Sequence, residues 1–145
     1  MSTAVVLIAH GSRHAPANDD LRRMVDRVAA TATHPIVEPA FLELAHPDIA
    51  AAGARCVELG ADRVLMIPYF LAAGVHLLRD LTAARDALMA NHPGVEFRLG
   101  SPLGPHHLLD QLVLERIDQL DEDGPPPEFA PSASVAATYP SMGDH

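Results

Sequence analysis

The spacing of apolar residues changes several times along the chain, and each change predicts an element. Residues 4–9 read AVVLIA, an unbroken apolar run of the kind found in a strand covered on both faces. From about residue 16 to residue 33, Leu21, Met24, Val25, Val28 and Ala32 recur at the spacing of one helix face. Residues 36–42 predict a second strand. Pro47 suits the first turn of a helix, Ile49, Ala52, Cys56 and Leu59 line one side of it, and Gly60 stops it. RVLMIPYF at 63–70 predicts a third strand whose pairing ends near Pro68. A helix over 76–90 follows, with Leu77, Leu78, Leu81, Ala84 and Leu88 inward. Residues 95–99 predict a short fourth strand, and Leu109, Leu112, Val113, Ile117 and Leu120 a final helix.

Strand and helix patterns alternate throughout, which predicts an α/β fold with a parallel sheet. The expectation is a small doubly wound, flavodoxin-like three-layer sandwich around a four-stranded parallel sheet. It occupies residues 1–121. Residues 122–145 are rich in proline, serine and acidic side chains, lack periodicity, and read as a disordered tail.

Composition narrows the function. A chain of 145 residues is long enough for one real core. Its formal charge of −9 argues against nucleic acid, whose backbone needs clustered cations. The one cysteine, Cys56, excludes an intrachain disulfide and a multi-cysteine zinc cage. The first residues lack a basic leader, and no apolar run is long enough to span a bilayer. A cytoplasmic protein without membrane contact is the expectation.

In open α/β sheets ligands bind outside the carboxyl ends of the strands. The first predicted strand ends at His10, the second places Glu43 at or past its tip, and the loop after the third leads to His76. Neighbouring strands lie about 4.8 Å apart, so side chains from adjacent tips can converge. Two imidazoles and a carboxylate form a site suited to a borderline divalent metal. Taken singly, each has a blander reading: a turn histidine, a solvated carboxylate, a residue in the first turn of a helix. The turn HGSRHAP has neither GxGxxG nor GxxxxGK[ST], so the signal for a nucleotide is weak. Ser12 lacks the GxSxG elbow of a nucleophile, and its hydroxyl suits capping of the turn. His14 lies in the same loop as an auxiliary group, His106 and His107 suit capping of the last helix, and His34, His46 and His92 adjoin prolines and face solvent.

LIAHGSR at the start, FLEL in the second strand region and IPYFLAAGVHLLRDL after it resemble the small class II chelatases of the CbiX/SirB type, as does LGSPLGPHHLL further on. The match covers about residues 4–120. The resemblance implies a chelatase fold and an enzyme, a lyase that inserts a divalent metal into sirohydrochlorin or a related tetrapyrrole, for cobalamin, sirohaem or nickel-tetrapyrrole synthesis. Cobalt or iron is favoured, with nickel also accepted, and the ion is a substrate rather than a bound cofactor. The family's two metal-binding histidines fall on His10 and His76, with Glu43 as the matching acid. Short members build their cleft as homodimers, which implies the same for this chain.

A tetrapyrrole carries many carboxylates, and arginine pairs with them bidentately. Arg13 and Arg79 lie within a turn of the two histidines and are the candidates, with surface arginine as the alternative. Ser12, Phe70 and Leu71 complete the substrate-binding set, the last two as an apolar wall with Ala72, Ala73 and Val75, or else as core or dimer contacts. Asp80 serves either to orient an imidazole or to cap its helix. Two other functions use the same residues: a non-catalytic metal-delivery protein, and phosphoryl or acyl transfer through His10 and Ser12.

Overall fold

The computed structural model describes residues 2–31 and 33–122. Ala32, His145 and the rest of the tail expected to be disordered lie outside the described residues. The described chain divides into two units, one ending at Pro105 and the other beginning at His106.

The first unit contains β1 (Thr3–Ala9), α1 (Ala15–Thr31), β2 (Ile36–Phe41), α2 (Ile49–Glu58), β3 (Arg63–Pro68), α3 (Val75–Asn91) and β4 (Glu96–Leu99). Its four strands form one sheet in the order β2-β1-β3-β4, and every pair is parallel. Side chains alternate across a strand, so each strand feeds two cores. Val5 and Leu7 of β1 join Val37 and Phe41 of β2 against Leu21 and Val25 of α1. Ala4, Val6 and Ile8 join Val64 and Met66 of β3 against Ile49, Ala52 and Cys56 of α2 and Leu81 and Leu88 of α3. The result is the three-layer α/β sandwich expected of the alternating pattern. Leu81 is fully buried, which stabilises the fold by about 1.5–3 kcal/mol relative to exposure.

Close approach on the second face depends on Gly53. A Cβ there would lie 2.6 Å from Leu88 Cδ2, so a larger residue would force the Leu88 side chain to shift. The thiol of Cys56, buried in the same core, has its pKa pushed up to about 12 by desolvation and, secondarily, by the charge of Glu38. It is a packing residue with no nucleophilic character.

Several details differ from the sequence reading, among them Leu59, which is exposed as the C-cap of α2, and His34, which is half-buried. Pro47 lies outside α2, because the Asp48 carboxylate accepts from the Ala51 N–H at 2.8 Å and makes Asp48 the N-cap. The Pro47 carbonyl instead accepts the Phe41 N–H at 2.9 Å. Leu78 is exposed, while Leu77 and Ala84 pack at the edge of the core around Leu81 and Leu88. His92 closes α3 and is half-buried, its ring 6.1 Å from that of Phe97.

The second unit holds α4 (His107–Glu122), matching the helix predicted at the end of the periodic sequence. His106 Nδ1 accepts the Leu108 N–H at 3.1 Å, which is the capping role its position implied. Leu108, Leu112, Val113, Leu114, Ile117 and Leu120 are exposed along it.

Candidate active site

Because the strands are parallel, their carboxyl ends share one edge. The chain passes from β1 out to β2 on one side, while β3 continues to β4 on the other. The direction of winding therefore reverses between β1 and β3, the point at which a crevice opens in such sheets. His10 follows β1 directly, and the segment from Tyr69 to Gly74 follows β3.

Main-chain bonds carry the β1–β2 pairing beyond both strands. Leu42 N–H donates to the Ala9 carbonyl and Glu43 N–H to the His10 carbonyl, each at 3.0 Å. Glu43 is thereby seated beside His10. The next residue, Gly11, has φ +92°, and a Cβ on it would lie 1.8 Å from the Glu43 carbonyl oxygen. The turn away from β1 requires glycine on both counts.

On the other side of β1, Tyr69 N–H donates to the Ile8 carbonyl at 2.7 Å. This brings Phe70 under the tip of β1, where its buried ring lies 5.0 Å from the His10 imidazole at an interplanar angle of 59°. A tilted aromatic contact of this kind orients the imidazole. Leu103 N–H donates to the Phe70 carbonyl at 2.9 Å and ties in the segment after β4. His76 is the second residue of α3, after the N-cap Gly74.

His10, Glu43 and His76 are all exposed. Among the described residues, no group of three His, Cys, Asp or Glu side chains is placed to hold one metal ion. The structure brings the backbones of His10 and Glu43 side by side and places His76 at the start of the helix that follows β3. It does not gather the three side chains into a closed cage.

The remaining candidates divide by environment. The Ser12 hydroxyl accepts the His14 N–H at 3.0 Å, so it stiffens the turn. Arg13 and Arg79 are exposed and form no ion pair with a carboxylate among the described residues. Arg79 shares a recess of about 410 Å³ with Val75 and Leu78. Leu71 is 70% exposed, unlike its buried neighbour Phe70. Asp80 is exposed on α3.

Two features escaped the sequence reading. Asn18, in α1, is buried, and its side chain clamps the turn: Ser12 N–H donates to Asn18 Oδ1 at 2.9 Å, and Asn18 Nδ2 donates to the Ser12 carbonyl at 2.8 Å. Asn18→Ala leaves both main-chain groups of Ser12 without a partner and is expected to cost about 1–3 kcal/mol, read as a lower urea midpoint. An unchanged midpoint would show that the clamp is dispensable. An asparagine four residues into a helical pattern reads as an ordinary polar position, so only the HGS turn just upstream signalled it. The second feature is a pair of exposed leucines, Leu44 after β2 and Leu103 after β4, which join the expected Leu71 and Val75 at the carboxyl edge. Leu44 and Leu103 sit outside any periodic run, where a single leucine has no face to report.

Comparison with known proteins adds a second line of argument. The CbiX family model matches residues 4–120. The chain is 37% identical over 113 residues to the chloroplastic sirohydrochlorin ferrochelatase of Arabidopsis thaliana, covering 78% of this chain and 50% of that one. It superposes on SirB from Bacillus subtilis with Fe3+ at a TM-score of 0.76 and 26% identity, over 86% of this chain and 49% of SirB. A Marinobacter aquaeolei VT8 protein assigned to cobalamin biosynthesis as CbiX gives a TM-score of 0.72 and 28% identity, with 83% of this chain and 98% of that one covered. The chain thus spans about half the length of the Arabidopsis and Bacillus proteins.

Proposed function

The chain belongs to the CbiX family, and from that premise we propose that it is a sirohydrochlorin chelatase. It inserts a divalent ion, cobalt, iron or nickel, into sirohydrochlorin or a close relative, for cobalamin or sirohaem synthesis. The observation that carries the reading is that His10, Glu43 and His76, all exposed, follow β1, β2 and β3 respectively at the carboxyl edge of the sheet.

Insertion exchanges two pyrrole N–H protons for one M²⁺, so the site must hold the ion loosely and accept protons. Neutral His10 and His76 coordinate through ring nitrogen and leave positions open for the incoming pyrroles. Glu43 balances the charge of the ion, and it or one of the two histidines takes up a proton as the ion transfers. A site without a closed three-ligand cage surrenders its ion readily, as a metal that is substrate requires. Arg13 and Arg79, free of carboxylate partners among the described residues, bind the acidic arms of the macrocycle, and Ser12 keeps the turn in place beside them. Leu71, with Leu44, Val75 and Leu103, covers the apolar face, while Phe70 acts from below by orienting His10.

The acting unit is a homodimer, in which a second copy supplies the half of the cleft that the longer relatives carry in one chain. Among the described residues no helix is long and apolar enough to cross a membrane. A cytoplasmic location without nucleic acid as partner suits the negative charge and the soluble substrate.

Purified protein mixed with sirohydrochlorin and Co²⁺, Fe²⁺ or Ni²⁺ is expected to shift the visible spectrum to that of the metallated product faster than the uncatalysed control. Metal binding without acceleration for any of the three ions would leave only a metal-delivery protein and refute the enzyme.

A further inference from the structure

The sheet edge opposite the candidate site, where the strands begin, carries a recess of about 490 Å³ lined by Ser2, Thr3, Thr33, His34, Pro35 and Arg63. β1 and β3 pair in register at Thr3 and Arg63. Arg63 Nε donates to Thr3 Oγ1 at 3.2 Å, which fixes the guanidinium plane. Its two Nη groups bond nothing among the described residues, and neither do the hydroxyls of Ser2 and Thr33 or the imidazole of His34. All ten cationic side chains of the chain are arginines. Arg22, Arg23, Arg55, Arg85 and Arg98 each face a carboxylate. Arg63 is half-buried and faces none among the described residues, although the chain carries −9 overall. The nearby carboxylate of Asp62 is engaged by the Ser2 backbone N–H at 3.0 Å.

A half-buried guanidinium whose partner is a hydroxyl keeps an uncompensated charge, and an exogenous anion supplies the missing half. We propose that this recess binds the phosphate group of a small ligand, either orthophosphate or a phosphate monoester. The Arg63 Nη pair forms a fork that fits two phosphate oxygens. The Ser2 and Thr33 hydroxyls and the His34 ring N–H supply donors to the others. A tetrahedral anion uses all of these directions, whereas a planar carboxylate satisfies the fork and leaves the hydroxyls idle. The site lies at the opposite end of the strands from His10 and His76, so its occupancy does not depend on metal insertion.

The test is an amide and side-chain nitrogen NMR titration of the full chain at constant pH and ionic strength. Inorganic phosphate, phenyl phosphate and acetate are the probes. Saturable shifts are expected at Ser2, Thr33, His34 and Arg63, with affinity at least tenfold lower in Arg63→Gln and also reduced in Thr33→Val. Tighter binding of phenyl phosphate identifies a monoester as the ligand, and equal or tighter binding of inorganic phosphate identifies the free ion. The proposal is overturned by the absence of saturable shifts at these residues. Equal affinity for acetate overturns it too, as does undiminished affinity in both variants. Should Arg63→Gln not fold, Thr33→Val, altered only at an exposed hydroxyl, decides alone.

Discussion

His10→Ala is expected to lower the rate of sirohydrochlorin metallation at least about a hundredfold while leaving the thermal midpoint close to that of the native chain. The two halves of this expectation have separate causes. His10 is exposed and its ring lies beside that of Phe70, so truncating it leaves no cavity in either core. Its loss from the proposed site removes one of two imidazole ligands, and even residues that merely orient metal ligands cost roughly ten- to a hundredfold when altered. His76→Ala at the start of α3 is expected to behave alike. The double variant should be little worse than either single one, because two ligands of one ion act as a unit. Initial rates with saturating macrocycle, alongside a melting curve, check both halves. Native-like turnover in either single variant removes that histidine from the mechanism, and a fall in midpoint matching the fall in rate would mean that the residue holds structure.

Gly11→Ala is expected to damage the fold severely. Two costs add there. An L-residue at φ +92° is strained by about 1–2 kcal/mol. The new Cβ would also stand 1.8 Å from a carbonyl oxygen of Glu43, which is backbone and cannot swing aside. Forcing the two segments apart costs about another 1–3 kcal/mol, for a total near 2–5 kcal/mol against a domain stability of roughly 5–15 kcal/mol. Gly60→Ala is the internal control. Its φ is +100°, yet nothing lies within 4 Å of the place its new methyl would take, so only the strain should register. Urea unfolding of the two variants separates strain from collision, and equal losses would show that the contact with Glu43 relaxes without cost. Metal insertion should fall in Gly11→Ala beyond what the lost stability explains, because the displaced segment is the one that holds Glu43 beside His10.

Much of this architecture is legible in the amino-acid order because single-face burial leaves a period. The unbroken run at 4–9 reports a strand covered twice, and Leu81 and Leu88 report the inward side of α3 directly. Legibility fails where a residue's partner is distant or its neighbour competes with it. Pro47 fits a first helical turn by itself, but Asp48 beside it is the better cap and takes the position. Leu78 belongs to the same apolar pattern as Leu77 and Leu81, yet it lies too far round the helix to reach the sheet. His10, Glu43 and His76 were proposed as a set because periodicity shows where β1, β2 and α3 lie, and these residues fall just after the two strands and in the first turn of the helix. The organisation of the site was not legible. The closeness of Gly11 to Glu43 and the double bond from Asn18 to Ser12 both depend on which strand lies next to which. Nothing in a linear pattern gives the order β2-β1-β3-β4.

That order also has a consequence in time. β1 lies between β2 and β3, with hydrogen bonds on both of its edges. A ribosome therefore makes the central strand well before its second neighbour, and one edge of β1 stays open until Arg63–Pro68 has been synthesised. Parallel pairing of segments so far apart in sequence closes slowly, since the loop entropy is spent before any contact returns it. Until then the apolar run VVLIA has a bare edge, the kind that pairs with other chains. Crowded overexpression should be hardest on this chain during its birth rather than after it has folded, and slower translation of residues 10–62 would prolong the exposure.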